Sequence, residues 1–166
     1  MQKNYFIPSV LFFLLVTLFS QFVSASDAQR PKLKHIQDLR ETAKLAKASN
    51  LPVLMMFGTD ECPYCEMLRE EFLIPMIISG EYSAKIIMRE VHIHYNEKII
   101  DYNGKTITAS QLAHRYGVTL FPTTVFINSK GKVLVNKILG ITTPSLFGGT
   151  LDSRIDEALA VLRKRS

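Results

Sequence analysis

The chain has 166 residues, 47% of them hydrophobic, a net charge of +5 and only two cysteines. That length suits one domain with its own core plus a short appendage. The cations are interleaved with acids except in the terminal RKRS, the pattern of a solvated surface, so nucleic acid is not expected as a partner.

Residues 1–25, MQKNYFIPSVLFFLLVTLFSQFVSA, differ from the rest. A single cation, Lys3, precedes an apolar run from Val10 to Phe19, and small residues close the segment at Val23-Ser24-Ala25. These are the parts of a secretory signal peptide cut after Ala25, with an uncleaved membrane anchor as the alternative. Either way the folded part is expected outside the cytoplasm, in the periplasm or otherwise exported.

Residues 26–34 lack periodicity and read as a flexible lead-in to a domain at 35–166. Ile36, Leu39, Ala43 and Ala46 fall at helical spacing and predict a helix ending at Ser49-Asn50. LPVLMMF, 51–57, is continuously apolar, as in a strand covered on both faces. A polar turn, Gly58 to Glu61, leads into CPYC, and Met67, Leu68 and Phe72 predict a helix from Pro63 to about Phe72. Proline suits a first helical turn, where its missing N–H is no loss.

Residues 84–95 predict a second strand, and Asn103-Gly104 between short β-type runs predicts a hairpin. Thr108 and Gln111 have capping-box spacing at the start of a short helix that stops at Gly117. TTVFINSKGKVLVNKIL reads as two strands around a turn at Asn128 to Gly131. After Gly149, Leu151, Ile155, Leu159 and Leu162 share one face of a last helix. The order predicts an α/β fold, a mixed central sheet with helices on both faces and a small β-hairpin insert before the third helix.

Cys62 and Cys65 admit three uses. A bridge between them closes so small a loop that it removes little unfolded-state entropy, which makes it a poor structural staple. Zinc generally needs four ligands, and only His92 and His94, two apart on a strand, are placed to complete such a set; His35 and His114 stand alone. Thiol–disulfide exchange fits best. Cys62 falls at a helix N-terminus, whose partial positive charge stabilises a thiolate, with Cys65 one turn inside to resolve a mixed disulfide. No metal and no cofactor beyond the dithiol are then expected.

Pro122, at the mouth of the strand in RYGVTLFPTTVFI, marks an edge, a bulge or a cis turn. Four features together resemble the thioredoxin superfamily: the apolar strand into C-P-Y-C, the GV-x-x-x-P-T segment, the F-x-N-x-x-G-K-V hairpin and the glycine of KILGI. Within it the chain is most similar to exported bacterial thioredoxin-like proteins of the SoxW-like kind, through the YNGK…ITASQLAHRYGV insert. The resemblance spans about residues 36–164 and implies a thioredoxin fold. It makes Cys62 and Cys65 the catalytic pair and Pro122 the family's cis-proline facing them. Pro63, Tyr64 and Phe121 become active-site support or substrate contacts.

The sequence also departs from the family. Met56 stands where thioredoxins carry a buried acid, six residues before the first cysteine. Glu90 stands approximately where they carry a lysine, and is a candidate substitute proton acceptor. Pro63-Tyr64 between the cysteines is the pair of many glutaredoxins, and Asp60 and Glu61 oppose a thiolate at Cys62. The expected activity is a protein-disulfide reductase serving exported proteins, recharged by a membrane thiol donor. A disulfide oxidase or isomerase, or a non-catalytic binding module, is the alternative.

Overall fold

The computed structural model describes residues 30–94 and 97–164. The signal segment expected at 1–25 lies outside the described residues. Helix α1 spans Leu39–Ser49, β1 Val53–Gly58, α2 Pro63–Met67, a π-helical stretch Leu68–Leu73, and α3 Ile74–Ser79. Then follow β2 (Ile87–His92), β3 (Lys98–Ile100), β4 (Thr106–Thr108), α4 (Ala109–Arg115), β5 (Thr123–Ile127), β6 (Ile138–Leu139) and α5 (Pro144–Lys164). The main sheet has the order β2-β1-β5-β6, with β1 parallel to β2 and antiparallel to β5; β3 and β4 form a separate hairpin.

Every residue of β1 is buried, because strand alternation sends neighbouring side chains into two different cores. Leu54 and Met56 join Met88, Cys65, Leu68, Phe147, Leu151 and Ile155 on one face. Val53, Met55 and Phe57 join Ile87, Val91, Leu39, Ala46 and Leu112 on the other. Helices thus cover both faces, and the continuous apolar run needed no polar alternation.

Several boundaries differ from expectation. The compact unit begins at Pro31, not residue 35. Leu33 is part of the core, and Glu90 N–H donates to Lys34 O at 2.9 Å while Ile36 N–H donates to Glu90 O at 2.8 Å. Residues 34–36 therefore cover the outer edge of β2, which would otherwise present unpaired backbone groups. This also delays α1 to Leu39, where Asp38 caps it by accepting from Arg40 N–H at 2.7 Å.

The helix after the cysteines, expected to stop near Phe72, continues to Ser79. Pro75 lacks the N–H that would bond Glu71 O, and its ring would crowd that carbonyl in an ordinary helix. Widening to π geometry, with Ile74 N–H donating to Arg69 O, carries the helix past the proline. The strand expected after Gly131 is reduced to a bridge at Val133 and the two-residue β6. Between them the chain leaves the ladder and buries Leu134 and Val135. The last helix starts at Pro144 and runs through Gly148-Gly149. Phe147 meets Phe72 edge-on at 5.0 Å there, and tertiary packing outweighs glycine's weak helix propensity.

The hairpin and the capping box form as expected. Lys98–Ile100 pairs with Thr106–Thr108, and Thr108 and Gln111 cap each other's backbone N–H groups.

Candidate active site

The site begins where β1 ends. The polar turn after Gly58 delivers Cys62 to the N-cap of α2, in extended backbone conformation, with Pro63 in the first turn. Cys62 Sγ accepts a hydrogen bond from Cys65 N–H at 3.1 Å, and Cys62 O accepts from Cys65 and Glu66 N–H. One sulfur thus lies among the unsatisfied donors at a helix start, where negative charge is stabilised. Cys62 is partly exposed, Cys65 is fully buried, and their sulfurs are bonded at 2.14 Å. The two cysteines are therefore paired with each other. Among the described residues, no group of three or more His, Cys, Asp or Glu side chains is arranged to hold a metal ion.

Gly58 gave no signal of its own in the sequence. A β-carbon there would stand 3.2 Å from Cys65 Sγ and 3.1 Å from Met56 Cε. The missing side chain is what lets β1 approach the buried sulfur. Gly58 is flanked by His92, its partner on β2. On the other strand the ladder ends at the Phe57–Thr123 pair, so Pro122 falls one step on, opposite Gly58. The Phe121–Pro122 peptide bond is cis, and Gly140 N–H donates to Pro122 O at 2.8 Å. Tyr64, Leu120, Phe121 and Leu139 are all exposed large apolar side chains, and Leu120 Cδ1 lies near Gly140 beside Pro122.

Glu90 is not a surface residue of a strand edge. It is fully buried and pairs in register with Met56, so both face the side of the sheet that holds Cys65. Its two oxygens accept a fork from Arg69, Nη2 at 2.6 Å and Nε at 3.1 Å, and His35 Nε2 is 3.3 Å away. Hydrogen bonding to Glu90 holds the Arg69 guanidinium above its ordinary value, and Arg69 also bonds Glu66. Glu90 thus stands one strand over from Met56.

His92 and His94 stack, with ring centroids 6.1 Å apart, and His92 also stacks on His35 at 5.4 Å. His92 Nε2 lies 2.8 Å from Asp60 Oδ1. Sequence spacing places His92 and His94 two apart on a strand but gives no sign of Asp60, because nothing local reveals that Asp60 folds back onto His92.

A family model described as a thioredoxin-like domain matches residues 39–154. The chain belongs to the thioredoxin-like domain family. A solved DsbH oxidoreductase is similar at 21% identity and a TM-score of 0.54, over 83% of this chain and 92% of that one. Mitochondrial thioredoxin 3 of Saccharomyces cerevisiae, in its oxidised form, is 19% identical, with a TM-score of 0.48 over 73% of this chain and 94% of its own. Malassezia sympodialis thioredoxin is 18% identical, with a TM-score of 0.49 over 78% and 95%. No curated protein sequence matches the chain. The fold is the thioredoxin fold, and its C-x-x-C pair at disulfide distance is the equipment of a thiol–disulfide oxidoreductase.

Proposed function

We propose that this thioredoxin-like protein is a protein-disulfide reductase of the bacterial cell envelope, acting on exported proteins through Cys62 and Cys65. The observation that carries the reading is the division of labour between the sulfurs: Cys62 partly exposed at a helix start, Cys65 buried beneath it and within bonding distance.

In the reduced protein the Cys62 thiolate attacks one sulfur of a client disulfide. The client's S–S bond breaks, a mixed disulfide forms, and the released client thiolate takes a proton. Cys65 then loses its proton and attacks Cys62 Sγ; the second client sulfur leaves as a thiolate and is protonated. The client gains two electrons and two protons, and the pair becomes a disulfide. Glu90 is the proposed acceptor of the Cys65 proton, on the same side of the sheet and with Arg69 fixing its orientation. The dithiol is the only redox group required.

Tyr64, Phe121 and Leu120 form an apolar rim around Pro122 and the pair. Such a rim suits an extended client segment with apolar residues beside its cysteine, docked by strand-like pairing. The reductive direction rests on the segment between β2 and α4, whose described residues carry the β3–β4 hairpin and no inserted helical domain. The oxidising location rests on residues 1–25, and it requires a membrane thiol donor to recharge the pair. Among the described residues, no helix is long and apolar enough to cross a membrane itself.

The test is a Cys65→Ser trap expressed with its leader. It is expected to accumulate mixed disulfides through Cys62 with a small set of exported proteins, which are more oxidised in cells lacking the protein. Recovery of no adducts, where a known exchanger yields them, overturns the reading. Clients that are more reduced in those cells reverse its direction.

A further inference from the structure

Residues 34–36 cover the outer edge of β2 at Glu90. Nearer the start of the strand, Ile87 and Met88 line a cavity of about 360 Å³. Leu45 of α1 borders it on one side, and Met76 and Ile77 of α3 border it on the other. A volume of this size lies in the range of small-molecule sites, about 300–1,000 Å³. None of the lining residues belongs to the dithiol site.

The charge around this cavity has one sign. Lys32, Lys34 and Arg89 line it, and no Asp or Glu does. Arg89 is half-buried, and among the described residues the one polar contact of its guanidinium is from Nη1 to Met88 O at 2.8 Å. Burial alone draws the group below its ordinary value, with no carboxylate set against that effect. A guanidinium has five N–H donors, and this one commits a single donor to the protein. A cation held partly out of water without a counter-charge is costly, and an anion entering the cavity relieves that cost.

We propose that this cavity binds a free single-chain amphiphile with a carboxylate head, a ligand of the fatty-acid class, with Arg89 as the anchor of the head. The two oxygens of a carboxylate match the fork of a guanidinium, and exposed Lys32 and Lys34 add attraction at the rim. The chain lies against Leu45, Met76, Ile77, Ile87 and Met88, where burial of apolar area supplies affinity. Methionine side chains adapt their shape to such a chain. A membrane surface fits less well. Ile87 and Met88 are buried, and a bilayer presents headgroups, so a lipid chain reaches this recess only by leaving the membrane. The site is independent of the thiol chemistry and of its direction.

The probe is dodecanoate, kept below its micellar concentration and titrated into detergent-free oxidised protein with isotope-labelled methionine methyl groups. The expected result is saturable binding that moves the NMR signals of Met76 and Met88 and leaves that of Met67, at the end of α2, in place. Butyrate has the same head and a short tail, and is expected to bind at least about a hundredfold more weakly. Dodecyltrimethylammonium has the same tail and the opposite charge, and is expected to bind at least about tenfold more weakly. Arg89→Leu is expected to raise the Kd for dodecanoate about ten- to hundredfold. Arg89→Lys is expected to recover part of that loss, because it restores the charge but not the fork. Absence of saturable binding overturns the proposal, as does an Arg89→Leu Kd equal to that of the wild type. Equal affinity for the ammonium analogue overturns it too. Shifts at Met67 as large as those at Met76 and Met88 place the amphiphile by the cysteine pair instead. Binding to anionic phospholipid vesicles with none to dodecanoate assigns the face to a membrane surface and overturns the proposal. No thiol takes part in these measurements, so their failure leaves the reductase reading standing, and the reverse.

Discussion

Replacing Arg69 by methionine is expected to be among the most damaging changes outside the apolar core. Arg69 is 18% exposed and gives Glu90, which has no exposure, both members of its guanidinium fork. Without it the carboxylate stays buried with only the 3.3 Å approach of His35. Removing one partner of a buried pair costs about 3–5 kcal/mol, because the other charge is left uncompensated. Glu90→Gln is expected to cost less, about 1–2 kcal/mol, because an amide oxygen still accepts from Arg69 and the guanidinium keeps Glu66 at the surface. A double Arg69→Met, Glu90→Met protein is expected within about 1 kcal/mol of wild type, since an apolar pair of similar volume has no desolvation to offset. Urea unfolding of the four oxidised proteins makes the comparison. An Arg69→Met cost below about 1 kcal/mol, or a double variant worse than Arg69→Met alone, refutes the reasoning. Glu90→Gln also removes the proposed acceptor of the Cys65 proton. Resolution of a mixed disulfide is then expected to slow by about 100-fold, and an unchanged rate leaves Glu90 a structural role only.

Gly131→Ala is expected to destabilise by roughly 1–3 kcal/mol from overpacking and about 1–2 kcal/mol from backbone strain, read from the shift in urea midpoint. Gly131 has φ of 75°, and a β-carbon there would stand 2.7 Å from the Tyr102 ring. A midpoint equal to wild type would show that Tyr102 moves aside freely. Asp101 is buried and accepts from Arg115 Nη1 at 2.8 Å and Nη2 at 2.6 Å, which hold its carboxyl below the usual range. A depressed folded-state value gives stability that is present above the unfolded value of about 3.9 and is lost as pH falls through the folded one. The stability gap between wild type and Asp101→Asn is therefore expected to be constant at about pH 5–7 and to shrink below about pH 4. A gap independent of pH refutes the ion pair's contribution.

Much of the site was legible before folding because its signals are local. C-P-Y-C after an apolar strand and before a helical pattern is a contiguous statement about position, and Thr108 with Gln111 reports a cap within one turn. Glu90 was legible only as a carboxylate in an unusual place. Its burial and its fork depend on Arg69, on a different element, and on a π-widened turn that Pro75 requires. The same holds for residues 33–36. They serve as an edge cover, pinned by β2 backbone and by buried Leu33 and Ile36, and no spacing along the chain signals that role.

From the sequence alone came the element order, the helix-start location of Cys62 and the covering of β1 on both faces, because periodicity and an uninterrupted apolar run are local signals. The tertiary structure alone decided what meets across elements: Gly58 against Cys65, Met56 beside Glu90, Glu90 under Arg69, and Asp60 on His92. Those pairings depend on strand register and on the path of a helix around a proline, and register is set by the whole sheet at once, so no stretch of chain carries it by itself.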